Sequence, residues 1–200
     1  FLDPHAVIST LPIDTMIKIM NPMPPDEILS IAESVKYRHL RICILFLNIP
    51  FFSRNASIYF PEKKYNFTRI YEPKNRSAEM APQKQTCIVI ESPCDNDEEL
   101  SKKNKIEYVK SVTNSLISMN LIKEEQIITS KTHTMKNAYP VLDVTLKKRK
   151  GKMLNFVERF GNLYVLGRNA KFEYLHTHDI FSQAKRLINK ISEIHRGLKH

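Results

Sequence analysis

The chain has 200 residues, 42% of them hydrophobic, and 31 Lys or Arg against 21 Asp or Glu give a formal net charge of +10. That much apolar material supports a folded core and excludes a disordered chain, while no apolar run reaches the roughly 18 residues of a membrane span. Cys43, Cys87 and Cys94 show no C-x-x-C spacing, which argues against a disulfide framework or zinc ribbon and makes the cytoplasm the expected compartment.

Phe1 is not an initiator methionine, and Phe1–Thr10 lacks the basic start and apolar stretch of a signal peptide, so the chain is expected to begin inside a longer protein. Ala6–Thr10 reads as a buried strand. Pro12 then opens a short helix over Ile13–Met20, at a position where its missing N–H costs nothing. Pro22, Pro24 and Pro25 end that helix. Asp26 and Glu27 open the next, with Ile28, Ile31, Ala32 and Val35 on one face. Tyr37–Asn48 is a strand, and its unbroken apolar run Ile42–Leu47 predicts cover on both faces. Ser57–Phe60 and Phe67–Tyr71 read as a hairpin, and Gln85–Glu91 as a further strand ended near Pro93.

The acids of Asp95–Glu99 lead into a long helix with Ile106, Val109, Val112, Leu116 and Ile117 at helical spacing. Ile127–Thr134 is β-branched and strand-like. Met153, Leu154, Val157 and Phe160 mark a helix for which Gly161 is the expected stop. Leu163–Leu166 is a short strand, and Phe181, Ala184, Leu187, Ile188 and Ile191 form the apolar face of a final helix. The fold class is therefore mixed, α+β or α/β.

Much of the positive charge is local. Lys147, Lys148, Arg149, Lys150 and Lys152 fall in one run, and Lys185, Arg186, Lys190, Arg196 and Lys199 decorate the terminal helix. A solvated face is the expectation for both. Anionic ligands such as a nucleotide-sugar diphosphate, or nucleic acid, are the alternatives, although no nucleic-acid signature with interleaved aromatics accompanies the charge.

The chemistry concentrates near the end of the chain. Asn162-Leu-Tyr-Val-Leu-Gly-Arg168 is an apolar run closed by a Gly-Arg pair, followed by Phe172-Glu-Tyr174 and by Asp179 at the start of the last helix. A helix N-terminus offers free N–H groups and partial positive charge to an anion, Asp179 is placed to cap it or to meet a cofactor hydroxyl, and Arg168 can reach a phosphate. An ordinary capped strand-to-helix turn gives the same pattern. The four glycines Gly151, Gly161, Gly167 and Gly197 form no G-x-G-x-x-G phosphate loop. His176-x-His178 with Asp179 would need further ligands, such as His39, His133 or Asp143, to hold a metal, and no metal is expected. No nucleophile elbow or Cys–His spacing is present, so no catalytic side chain is assigned.

Several segments, in order, resemble the flavin amine oxidase superfamily and its UDP-galactopyranose mutase branch most closely. They are Val7-Ile-Ser-Thr-Leu-Pro-Ile13, Tyr59-Phe-Pro-Glu62, Phe67-Thr-Arg-Ile70, Tyr139-Pro-Val141, and Asn162–Arg168 with Phe172–Tyr174. The resemblance implies an FAD enzyme whose phosphate-binding half lies upstream of Phe1. Residues 1–36 would then end the FAD-binding half, 37–144 would be an antiparallel or mixed sheet covering the substrate, and 145–200 the C-terminal strand and helix of a Rossmann-like FAD domain. It further implies that Arg69 and Arg168 clamp an anionic substrate, possibly a nucleotide-sugar, through paired hydrogen bonds to phosphate. By the same resemblance Tyr59, Tyr139 and Tyr174 line the pocket, and Gly167, Arg168 and Asp179 approach the FAD. The reduced flavin would act at the sugar's anomeric carbon, which requires no protein nucleophile. The chain alone is expected to bind FAD weakly and to be catalytically silent. Two departures, Leu175-His-Thr-His178 and Asn169-Ala170 after the Gly-Arg pair, leave the substrate open. An amine-oxidase-like flavin dehydrogenase and a basic nucleic-acid-binding module are the rival readings.

Overall fold

A computed structural model describes residues 4–95, 104–141 and 143–197. In chain order the elements are β1 (Val7–Ser9), α1 (Ile13–Lys18), α2 (Asp26–Glu33), β2 (Tyr37–Leu47), β3 (Ile58–Tyr59), β4 (Arg69–Tyr71) and β5 (Thr86–Cys94). They continue with α3 (Lys105–Ser118), β6 (Ile127–Pro140), α4 (Leu146–Val157), β7 (Leu163–Val165), α5 (Arg168–Lys171) and α6 (Thr177–Gly197). The fold is mixed α+β, with one antiparallel-paired sheet and one parallel strand pair. The chain forms two compact units, one of Tyr37–Tyr139 and one of Phe1–Lys36 with Pro140–His200.

The central unit is built on a five-stranded sheet in the order β3-β4-β5-β2-β6, in which β3 pairs β4, β4 pairs β5 and β5 pairs β2, all antiparallel. Alternate residues of a strand face opposite ways, and here Cys43, Leu45, Leu47, Ile70, Ile88 and Ile90 form a core with Tyr108, Val112 and Leu116 of α3. Burying each large aliphatic side chain stabilises the fold by about 1.5–3 kcal/mol. The run Ile42–Leu47 is not covered on both faces as expected: Cys43, Leu45 and Leu47 are buried, whereas Ile42, Ile44 and Phe46 are only partly so. A helix covers one face of this antiparallel sheet, and alternation follows from that.

β5 runs through Pro93 to Cys94 rather than stopping before it. β4 no longer pairs beyond Glu91, so the proline, which has no N–H, sits where β5 has one neighbour instead of two. The expected acidic start of α3 falls on residues 96–103, which lie outside the described residues, apart from Asp95. The helix is capped instead by Asn104, whose Oδ1 accepts from the Glu107 backbone N–H while Glu107 accepts from that of Asn104. Ile106 is 79% exposed and Tyr108 2%, because position 106 lies about 200° around the helix from 108. β6 extends through Pro140, six residues past its β-branched stretch.

In the other unit, α1 packs on α2, α4 and α5, and Ile13, Ile17, Ala32, Met153 and Phe172 are buried. Pro12 and Pro25 occupy the N-cap positions of α1 and α2. β1 and β7 form a parallel pair, Val7 opposite Leu163 and Ser9 opposite Val165. β1 is not the buried strand expected: with one neighbour, Val7 and Ile8 are about 40% exposed. α4 ends at Val157 with Glu158 as its C-cap, three residues before the expected stop at Gly161. Phe181 and Ile188, expected on the inward face of α6, are 72% and 52% exposed; Lys199 lies outside the described residues.

Candidate functional site

In the central unit the register of three strands sets Tyr59, Arg69 and Glu91 in one row across β3, β4 and β5. Side chains opposite one another on neighbouring strands are close enough to interact. Arg69 donates twice to the Glu91 carboxylate, Nε to Oε2 at 2.9 Å and Nη2 to Oε1 at 2.6 Å, a planar two-bond fork. The Glu91 hydrogen bond, helped by the Tyr59 hydroxyl against the effect of burial, raises the Arg69 pKa above its already high ordinary value and fixes a permanent cation. The guanidinium also lies 5.2 Å from the centre of the Tyr71 ring. Burial and the Glu91 charge push the Tyr71 phenol upward, so it stays protonated.

Glu72 follows this row directly and is 1% exposed. Its carboxylate accepts from the backbone N–H of Phe52 and Ser53, each at 3.0 Å, and from Thr86 Oγ1 at 2.6 Å. Lys74 extends the tie, its three Nζ N–H groups shared among the carbonyls of Pro50, Pro82, Gln83 and Gln85. Glu72 and Lys74 therefore tie the 50–53 loop to the segment 82–86. Sequence reasoning missed both Glu91 and Glu72. Their only signal was a carboxylate next to an apolar strand, and the strand register that gives them partners is not written locally.

In the other unit, β7 leads to Gly167, which adopts φ +100° and serves as the N-cap of α5. A β-carbon there would meet no atom within 4 Å. Only glycine takes this conformation at little cost, and the space leaves the backbone open to a flat or anionic group. The guanidinium of the next residue, Arg168, lies 4.5 Å from the centre of the Tyr174 ring. Phe172, buried and left-handed at φ +50°, turns the chain between them. Asp179 is in the first turn of α6, where its Oδ2 accepts the His176 backbone N–H at 3.0 Å. It thus closes the helix start as a capping group. The His176 and His178 rings stack at 5.5 Å, and among the described residues no three His, Cys, Asp or Glu converge as metal ligands.

The structure thus joins Tyr59 to Arg69 in the central unit and Tyr174 to Arg168 beside Gly167 in the other. Tyr139 lies at the end of β6, half-buried. The basic run of α4 is largely engaged: Lys152 pairs with Glu27, Arg149 with Asp143 and the Ser34 hydroxyl, and Lys150 with Glu173 at 2.6 Å. The Lys152 ammonium holds Glu27 below the usual carboxylate range, and hydrogen bonds from Thr145 and then Arg149 hold Asp143 down at about 2. A run of paired cations presents far less positive surface to a polyanion than its sequence promises. None of the described helices is long and apolar enough to cross a membrane.

The family model of UDP-galactopyranose mutase matches residues 8–109. A crystal structure of reduced UDP-galactopyranose mutase is similar with a TM-score of 0.73 at 18% identity, over 84% of this chain and 36% of that one. A putative protoporphyrinogen oxidase from Exiguobacterium sp. 255-15 is similar with a TM-score of 0.64 at 12% identity, over 82% of this chain and 36% of that one. No curated protein matches the sequence. The chain spans about a third of the length of these solved structures, and at such identities they show its fold.

Proposed function

Since this chain belongs to the UDP-galactopyranose mutase family, we propose that it forms the C-terminal portion of an FAD-dependent mutase-like or oxidoreductase flavoenzyme acting on a nucleotide-sugar or related anionic substrate. The observation that supports this most is the family match over residues 8–109, which includes the Tyr59–Arg69–Glu91 row. Glu91 takes the Nε and one Nη2 N–H of Arg69, which leaves its remaining N–H groups and the Tyr59 phenol to donate to a diphosphate.

The residues fit a flavin at one point. Gly167 presents open backbone at the end of a parallel strand, and Arg168 with Tyr174 places a cation and an aromatic face beside it. They do not supply the pyrophosphate-binding glycine loop, so FAD would be held chiefly by residues outside this chain. When bound, the flavin supplies the redox or covalent chemistry. The chain's own contribution is to hold the substrate. In this reading Arg69 with Tyr59 in the central unit, and Arg168 with Tyr174 in the other, each offer a cation and a phenol to an anionic group, and Tyr139 is a further substrate-binding residue. Glu91 keeps the Arg69 fork in a single orientation, and Asp179 fixes the start of α6 near the cofactor. Cys43, Cys87 and Cys94 form no disulfide among the described residues, which fits a cytoplasmic protein.

The full gene product, expressed from its natural start and purified without added cofactor, tests the reading through its visible spectrum. Flavin bands released on denaturation are expected, with turnover of UDP-galactopyranose and its furanose isomer under reducing conditions. Arg69→Ala and Arg168→Ala should each weaken substrate binding at least about tenfold, since a charge-assisted hydrogen bond contributes about 1.5–3 kcal/mol. A yellow protein inert to nucleotide-sugars but reduced by another substrate would favour a flavin dehydrogenase. A folded, colourless protein that takes up no FAD would refute the flavin reading altogether.

A further inference from the structure

A second site stands in the central unit, on the helix-covered side of the sheet, whereas Arg69 belongs to the opposite side. β2 residues Arg41, Cys43, Leu45 and Leu47 alternate toward α3, and the first of these inward positions is an arginine. Arg41 is 8% exposed. Its guanidinium lies 4.0 Å from the centre of the Tyr108 ring, and no carboxylate among the described residues pairs with it. It borders a pocket of about 430 Å³, walled also by Tyr65, Phe67, Ser92 and Tyr108. Its nitrogens are not sealed from solvent, so the guanidinium opens onto this pocket, and a largely buried cation without a carboxylate partner is normally matched by an anion.

The surroundings suit an oxyanion. Stacking occupies the flat face of Arg41 and leaves the N–H groups at its edge to donate. The Tyr108 hydroxyl and Ser92 Oγ share a hydrogen bond at 2.8 Å, and the same hydroxyl lies 3.4 Å from the Arg41 carbonyl, which places the buried Ser92 hydroxyl beside Arg41. Burial raises the Tyr108 phenol above its ordinary range and keeps that proton in place. At the pocket's border Asp95 is matched by Arg38 at 2.5 Å, which offsets the one carboxylate that lines the pocket among the described residues. The volume exceeds that of a bare ion by far, a water occupying about 30 Å³, and the aromatic wall of Tyr65 and Phe67 suits an organic body.

We propose that this pocket binds a small organic phosphate, with its phosphate on Arg41 and Ser92 and its body against Tyr65 and Phe67. The site is independent of the flavin reading, because it needs neither FAD nor Arg69.

The experiment is calorimetric titration and thermal unfolding of the full 200-residue chain without FAD, with inorganic phosphate and phenyl phosphate as probes and sodium chloride at matched ionic strength as control. Both phosphates should bind and raise the melting temperature, with phenyl phosphate the tighter. Arg41→Met should weaken them at least about tenfold, and Arg41→Lys, which keeps the charge without the fork, by less. Without phosphate, Arg41→Met should melt no lower than the parent, because it removes an unmatched buried charge; this also shows that the variant folds. Asp95→Asn should bind phosphate more tightly. No response beyond the chloride control, an equal response in Arg41→Met, or tighter binding of benzoate than of phenyl phosphate would each overturn the proposal.

Discussion

The two units bury their apolar residues with unequal success. In the central unit Leu45, Leu47, Ile70, Ile88, Ile90, Val112 and Leu116 are all fully buried, because a sheet face and one amphipathic helix close on each other. In the other unit the helices around Ile13 and Met153 are equally closed, but Val7 and Ile8 of the two-stranded sheet are about 40% exposed, and Phe181, Ile188 and Ile194 of α6 range from 44% to 72%. A two-stranded sheet has two open edges and seldom stands alone. Both units carry correct amphipathic patterns, so pattern alone does not decide burial. The difference is whether a second layer of matching period exists among the described residues.

Large-to-small substitution should show that contrast most strongly. Leu45→Ala removes a fully buried side chain and should destabilise the chain by about 2–5 kcal/mol in urea denaturation. Glu72→Ala should come next, at about 3 kcal/mol, since it strands two backbone N–H groups and the Thr86 hydroxyl together. Glu72→Gln keeps one acceptor oxygen and should lose less. If the two Glu72 variants were equal, the carboxylate would not be what holds the 50–53 loop.

The central core can also be probed by alkali. Burial pushes the Cys43 thiol up to about 12, well above an unfolded thiol near 9. The unfolded chain therefore loses this proton first. Stability should be intact below about pH 9 and fall as pH rises toward 12, by about 1.4 kcal/mol at pH 10. Cys43→Ala should flatten that slope, measured as the urea midpoint between pH 8 and 10. An unchanged slope would mean that water reaches Cys43 and the core is less closed than its burial indicates.

Much of this fold was legible because its signals were local. The α1–α2 boundary followed from Pro22, Pro24 and Pro25, β2 from the run at Ile42–Leu47, and the β3–β4 pair from the polar loop at Pro61–Asn66. What failed depended on distant partners. Pro93 read as a breaker because nothing local says that β4 stops pairing at Glu91. Tyr108 was passed over for Ile106, because both fit an apolar tally and the sheet alone chooses between them. Arg69 was singled out, but Glu91, twenty-two residues away, becomes its partner through strand register. Cation runs misled in the same way, since the acids that meet Arg149, Lys150 and Lys152 lie on other segments.

The smallest expected effect bears most directly on the contrast between the units. Ile188 lies with Phe181 along the exposed edge of the apolar stripe of α6 and is 52% exposed. A side chain half in water gives up little when replaced, and lysine is a good helix former, so Ile188→Lys should change stability by no more than about 0.5 kcal/mol. The same substitution breaks a stripe that includes Phe181 and Ile194, and exposed apolar stripes promote association. Light scattering at rising concentration should therefore show less self-association for Ile188→Lys while the urea midpoint stays put. A loss comparable to that of Leu45→Ala would mean that Ile188 is packed after all, and the two units would then differ in pattern but not in closure.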